Sequence, residues 1–189
     1  MKLRRPDTRR VLTTIAVVST VAAAAVVWQH LPTSTDVLGP FDVNGDAGTP
    51  TSGRAVAATV TGVRVTPEVD SVKPAGIWVV VNTALQGTRS TELPHSELLV
   101  GPNTYTPTDV FFTETLMAEI SPGITWRGSW VFDVAAALVA PGSSDPLTLH
   151  VWVGDGRLDS RLAIRIPTHG SDFSRVDSVT LTKPEQSAS

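Results

Sequence analysis

The chain contains no cysteine in 189 residues. That excludes disulfides, thiolate catalysis, Cys-ligated zinc and a lipoprotein anchor on a lipid-modified Cys. Basic charge is scarce beyond the start of the chain. Residues 11–189 hold ten Lys or Arg against 17 Asp or Glu, a net charge of −7. Such a balance removes the electrostatic case for nucleic acid as a partner, and for docking flat on anionic lipid. No Gly-x-Ser-x-Gly elbow, phosphate loop or dinucleotide fingerprint occurs. A sustained amphipathic helical pattern is missing as well, which argues against an α-helical domain.

What is present first is an uncharged run over residues 11–28, opening at Val11 and closing at Trp28. It follows Lys2, Arg4, Arg5, Arg9 and Arg10, which with Asp7 give the first ten residues a charge of +4. At 1.5 Å per residue, 18 helical residues span about 27 Å, close to the ~30 Å hydrocarbon core of a bilayer. Residues 11–31 therefore predict a transmembrane signal-anchor in the lipid bilayer. Residues 1–10 become a basic cytoplasmic flank, and the remainder lies outside the cytoplasm. A cleaved signal peptide is the alternative, because Ala22-Ala23-Ala24 or Ala23-Ala24-Ala25 supplies a small-x-small cleavage site and would leave a secreted protein. Thr8-Arg9-Arg10-Val11-Leu12 also partly matches a twin-arginine export signal. The apolar stretch continues past the alanines through Val26 and Val27, which favours the anchor. In each case the domain is exported.

Residues 32–53 read as an extracytoplasmic tether, rich in Pro, Gly, Thr and Asp. Within them Phe41-Asp42-Val43 makes a short first strand, with Asn44-Gly45 as its turn signal. The main domain is expected over residues 54–167. Val56, Ala58 and Val60 alternate, and Val63 and Val65 resume with shifted parity, so a bulge is expected at Gly62. Residues 77–85 are apolar on both parities, as a central strand covered on both faces would be. Gly101-Pro102-Asn103 turns a hairpin between residues 97–100 and Tyr105-Thr106. Residues 109–120 are a short helix or an irregular loop, with Phe111, Thr115 and Glu119 at helical spacing. Trp126, Trp130, Phe132 and Val134 then form an apolar face opposite Arg127, Ser129 and Asp133. The last hairpin sets Leu147, Leu149, Val151 and Val153 against Leu158, Ser160, Leu162, Ile164 and Ile166 across Gly154-Asp155-Gly156. Residues 168–189 read as a polar C-terminal tail, with a late edge strand available over residues 176–181. Seven or eight short strands separated by turn signals predict an all-β, two-sheet antiparallel β-sandwich behind one N-terminal transmembrane helix.

Three pieces carry a family resemblance: Trp78-Val79-Val80-Val81-Asn82, the turn Gly101-Pro102-Asn103-Thr104-Tyr105, and Pro122-Gly123 followed by Arg127-Gly128-Ser129-Trp130-Val131-Phe132-Asp133-Val134. In their order over residues 53–167 the chain resembles the immunoglobulin-like β-sandwich "domain of unknown function" family of exported Gram-positive and actinobacterial proteins and lipoproteins. The resemblance implies an immunoglobulin-like sandwich at the cell surface and transfers no catalytic residues. The missing lipidated Cys departs from the lipoprotein members and puts the attachment on the helix.

Candidate chemistry is thin. His30, His95, His150 and His169 have no second His or carboxylate at zinc-ligand spacing. His95 reads as a loop residue. Asp42-x-Asn44-x-Asp46 is like the opening of a calcium loop, but Ala47 stands where Gly should and Gly53 where Glu should, so it reads as a turn. Asp155 and Asp159 read as solvated charges near a turn. Trp78 and Trp130 read as core. The one site expectation is an interaction patch of His150 and Trp152, which share the strand face opposite Leu149 and Val151 and could instead simply cover the outside of a sheet. No cofactor, metal or catalytic set is indicated. The function expected is a non-enzymatic interaction module or accessory subunit that contacts an envelope or membrane protein. The alternatives are a secreted small-molecule or metal binder and an enzyme whose site assembles only in space.

Overall fold

The computed structural model describes residues 8–31, 38–143 and 145–188, and the chain divides after Gly39 into two units. The first holds α1 (Thr8–Gln29), a single helix of 22 residues. Residues 12–29 within it are long and apolar enough to cross a membrane, with a mean hydropathy of 1.7. Hydroxyls inside the run are reconciled with that role locally. Thr13 and Thr20 donate back to the carbonyls of Arg9 and Ala16, both at 2.9 Å, so neither needs water. His30 closes the helix by turning its Nδ1 to the Val26 carbonyl at 2.9 Å. Of the tether expected over residues 32–53, residues 32–37 lie outside the described residues, as do residues 1–7 of the basic flank expected over residues 1–10.

Among its described residues the second unit holds eleven strands and one 3-10 turn (Ala136–Val139): β1 (Phe41–Asp46), β2 (Thr51–Ser52), β3 (Val56–Thr66), β4 (Ile77–Gly87), β5 (Pro94–Val100), β6 (Asn103–Tyr105), β7 (Ile124–Val134), β8 (Leu147–Val153), β9 (Ser160–Ile166), β10 (Phe173–Arg175) and β11 (Glu185–Ala188). They form a five-stranded sheet in the order β1-β9-β8-β5-β6 and a second sheet in the order β10-β3-β4-β7-β11, with β2 beside β3. The sheets face each other across one core that draws Val60, Val81, Leu85, Trp130 and Phe132 from one and Leu98, Leu149, Leu162 and Ile164 from the other. The pairing is not wholly antiparallel as expected, since β1 runs parallel to β9 and β10 parallel to β3.

Several expectations hold in detail. The register of β3 on β4 slips between Val60 and Gly62, which is the expected bulge. The β4 strand lies between β3 and β7 with Trp78, Val79, Val80 and Val81 all buried. Trp130 is 1% exposed, and its indole N–H donates to the Leu116 carbonyl at 3.0 Å. Residues 109–120 form an irregular loop along the β7 edge, with Thr108 N–H on the Val131 carbonyl and Leu116 N–H on that of Ser129. Phe111 from this loop covers the outer face of the second sheet, meeting Trp78 edge-on at 5.6 Å, while Leu116 enters the main core.

Other expectations are corrected. Asn44-Gly45 is not a turn but the middle of β1, and the chain reverses instead at Ala47-Gly48, where Thr49 N–H reaches the Asp46 carbonyl. Glycine is required at 45 for closeness, because a Cβ there would stand 1.9 Å from Thr51 Oγ1. Asn103 belongs to β6, opposite Val100, which leaves Gly101-Pro102 as the turn. Leu158 is 59% exposed in the β8–β9 turn, at φ +51, and does not join the inner face of β9. The outer face of β7 is not wholly polar, since Val131 is buried there against Trp78, Val80 and Phe111.

The largest correction concerns the polar tail expected over residues 168–189, whose described part, residues 168–188, is not loose. β10 pairs with β3 at one margin of the second sheet and β11 with β7 at the other, and the segment between them crosses the sheet's outer face. Residues 176–181 are not an edge strand. Val179 and Leu181 are buried in a second apolar cluster with Val69, Trp78, Val80, Phe111 and Val131. Leu181 N–H is held by Asp70 Oδ1 at 3.2 Å, and Val179 N–H by the Glu68 carbonyl at 3.0 Å. The domain bounds of 54–167 were therefore too narrow, because β1, β2, β10 and β11 complete the same two sheets.

Candidate functional site

Strand periodicity decides what the outer face of the five-stranded sheet displays. Side chains alternate with a period of 2, so Leu98, Leu149, Val151, Leu162 and Ile164 face the core and their neighbours face out. Register then aligns those neighbours across four strands. Asn44 of β1 lies opposite Ala163 of β9, Ala163 opposite His150 of β8, and His150 opposite Glu97 of β5. One step along, Asp42 faces Arg161. Trp152 of β8 faces His95 of β5.

These positions are wired together. Arg161 grips Asp42 with Nε on Oδ1 at 2.8 Å and Nη2 on Oδ2 at 3.2 Å. Such a two-bond fork fixes orientation as well as charge. The same guanidinium reaches Glu97 Oε1 at 3.5 Å through Nη1. Glu97 Oε1 also meets His150 Nδ1 at 2.8 Å. A carboxylate only accepts, so Nδ1 carries the proton there. The chain Asp42–Arg161–Glu97–His150 therefore spans β1, β9, β8 and β5. The bond from Arg161 holds the Asp42 carboxyl below the ordinary carboxylate range; partial burial opposes this, and the charges of Arg161 and His150 add to it. On the same strands Arg165 holds Asp46 at 2.8 Å.

The aromatic end of the face is equally ordered. The His95 and Trp152 rings stack with centroids 5.7 Å apart and planes 25° apart. Gly156 completes the seat, since a Cβ there would come 3.1 Å from Trp152 Cδ1, and its φ of +70° favours glycine independently.

The two residues expected to form a patch thus share a face but play different parts. His150 is 6% exposed and bonded into the ion network, so it supports the surface more than it presents one. Trp152 is half-buried, and the imidazole beside it belongs to His95. His95 lies in β5 and not in the loop expected for it. Sequence reasoning missed Glu97, Arg161 and Asp42 as partners; each alternates with an inward neighbour, Leu98, Leu162 or Val43, and so faces outward. Asp42, Asn44 and Asp46 are alternate positions of a strand, and the two carboxylates each take an arginine. Among the described residues no group of three His, Asp or Glu side chains is placed to hold a metal ion. No family model, curated protein or solved structure matches the chain.

Proposed function

We propose that the protein is a non-enzymatic, membrane-tethered module of immunoglobulin-like fold, held outside the cytoplasm by α1, that contacts an envelope or membrane protein. The contact surface is the outer face of the five-stranded sheet. The observation that supports this most is the ordering of that face, where the His95–Trp152 stack adjoins the Asp42–Arg161–Glu97–His150 network. Aromatic and arginine side chains already held in place lose little conformational freedom on binding, and such groups supply most interface energy. The apolar helix and the resemblance stated above support the address and the fold.

The test is site-specific photo-crosslinking of the full chain in its own membranes. A crosslinking side chain in place of His95 is expected to give one discrete protein adduct, lost when Trp152→Ala is added. An equal adduct from Met117, which is exposed outside this face, or no adduct from position 95, would overturn the assignment.

A further inference from the structure

The strap that crosses the second sheet encloses a groove that the proposed contact face does not use. Its floor is the outer face of β3, β4 and β7, and its rim is the C-terminal segment. Arg64, Asn82, Arg127 and Ser129 line it from the sheet, Lys183 and Glu185 from the strap, in a volume of about 280 Å³. At ~30 Å³ per water molecule that is room for roughly nine waters, or for a small polar group.

Charge is distributed unevenly here. Residues 40–189 carry ten Lys or Arg and sixteen Asp or Glu. Arg54, Arg157, Arg161 and Arg165 all lie within ion-pair distance of a carboxylate, and Arg175 donates to the Val139 carbonyl. Arg64, Arg127 and Lys183 have no carboxylate within that distance among the described residues, yet all three line this groove with Glu185 as its only acid. Three cations gathered around the single acid Glu185 repel one another, and an anion seated among them relieves that repulsion.

The hydrogen bonding points the same way. Asn82 Oδ1 accepts from Arg64 Nη2 at 3.3 Å and from Ser129 Oγ at 2.8 Å. Because a guanidinium only donates, the amide oxygen is fixed toward Arg64. Arg64 Nε is closed off from solvent and its Nη2 is held by Asn82, so the guanidinium is fixed at the groove, whereas Thr83 has the core-facing parity of Val81 and Leu85 and turns its hydroxyl away. A ligand that accepts from Arg64 therefore meets a donor already held in place.

We infer that this groove is a binding site for a phosphate group, with Arg64, Arg127 and Lys183 as its ligands. The three cations come from β3, β7 and the strap, so they approach from different sides. A tetrahedral phosphate can accept from several directions, whereas a planar carboxylate presents one edge to one fork. The phosphate is either free inorganic phosphate or the end of a small organic phosphate.

Calorimetric titration of the full chain in non-ionic detergent tests this with inorganic phosphate, glycerol 3-phosphate and acetate. Saturable one-to-one binding of inorganic phosphate, at least tenfold tighter than acetate, is the expected result. Tighter binding of glycerol 3-phosphate would assign an organic phosphate, and equal or weaker binding the free anion. Arg64→Gln is expected to weaken binding at least tenfold. Lys183→Gln, at an exposed position that cannot upset the fold, should weaken it about threefold to tenfold and reduce its salt dependence. No saturable binding, acetate bound as tightly as phosphate, or affinity unchanged in Lys183→Gln would overturn the inference. Trp152→Ala, on the other sheet, should leave phosphate affinity unaltered, which keeps this result separate from the crosslinking test.

Discussion

Arg161 and Asp42 are 119 positions apart in the chain, yet their side chains are joined by two hydrogen bonds at 2.8 and 3.2 Å. That fork adds a side-chain link between β1 and β9, which are neighbours in the five-stranded sheet. A pH dependence follows. Asp42 titrates lower in the folded chain than its ordinary value near 3.8. A carboxyl depressed by folding contributes stability above its unfolded pKa and loses it as pH falls through the folded one. The pair is 26% and 40% exposed, so solvent screening limits the contribution to about 1 kcal/mol at most. Urea midpoints measured from pH 6 down to pH 3 should fall more steeply in the wild type than in Asp42→Asn. Parallel curves would show that the fork adds nothing.

The core of the main domain can be tested at one side chain. Trp130 is almost fully buried between the sheets, and its indole holds the Leu116 carbonyl of the edge loop. Trp130→Ala should destabilise the domain by about 3–5 kcal/mol through lost burial and the cavity left behind. Trp130→Phe should cost less, with about 1 kcal/mol of its penalty from the lost hydrogen bond. Unchanged melting of the alanine variant would place the residue outside the core.

The C-terminal strap makes a sharper prediction, because a loose tail and a sheet component behave oppositely on removal. Ending the chain at residue 172 deletes β10 and β11 and uncovers Trp78, Val80 and Phe111. Val179 and Leu181 alone contribute about 1.5–3 kcal/mol each by burial. The truncated protein should melt well below the full chain and be cut by protease within the domain. The single change Leu181→Ala should cost about 2 kcal/mol. A truncated chain as stable as the original would return these residues to the status of a tail.

Which features were legible follows from where each signal lies. The bulge at Gly62 was readable because a parity shift is a local pattern, and β4 because Trp78, Val79, Val80 and Val81 leave no polar face. β10 and β11 were not, since Phe173-Ser174-Arg175 and Glu185-Gln186-Ser187-Ala188 hold their places by backbone bonds to β3 and β7 and carry no apolar alternation. Asn44-Gly45 misled because pairing with Ala163 and Ile164, far away in sequence, overrode a local turn preference. The candidate face was half legible. Parity put His150 and Trp152 on one side of β8, but which strand lies beside β8 is a property of topology. Glu97 and His95 could not be assigned to them until β5 was placed there.

The N-terminal helix gives the last prediction, and it bears on address more than on fold. All described side chains of residues 12–29 are exposed, Trp28 at 78%, and the segment has the length and hydropathy to span a membrane. A signal sequence passes the same test, so the two outcomes must be separated by chemistry at the N-terminus. If the helix is the permanent anchor, the mature chain should retain Lys2 to Arg10 and stay in the pellet after alkaline carbonate extraction, as an integral protein does. Replacing Val18 and Val21 with Arg should release it, because each charge at the centre of a span costs about 2.5–3.5 kcal/mol on the insertion scale. A mature N-terminus beginning near Ala25, with the protein recovered in the soluble fraction, would reject the anchor and make the domain a secreted one.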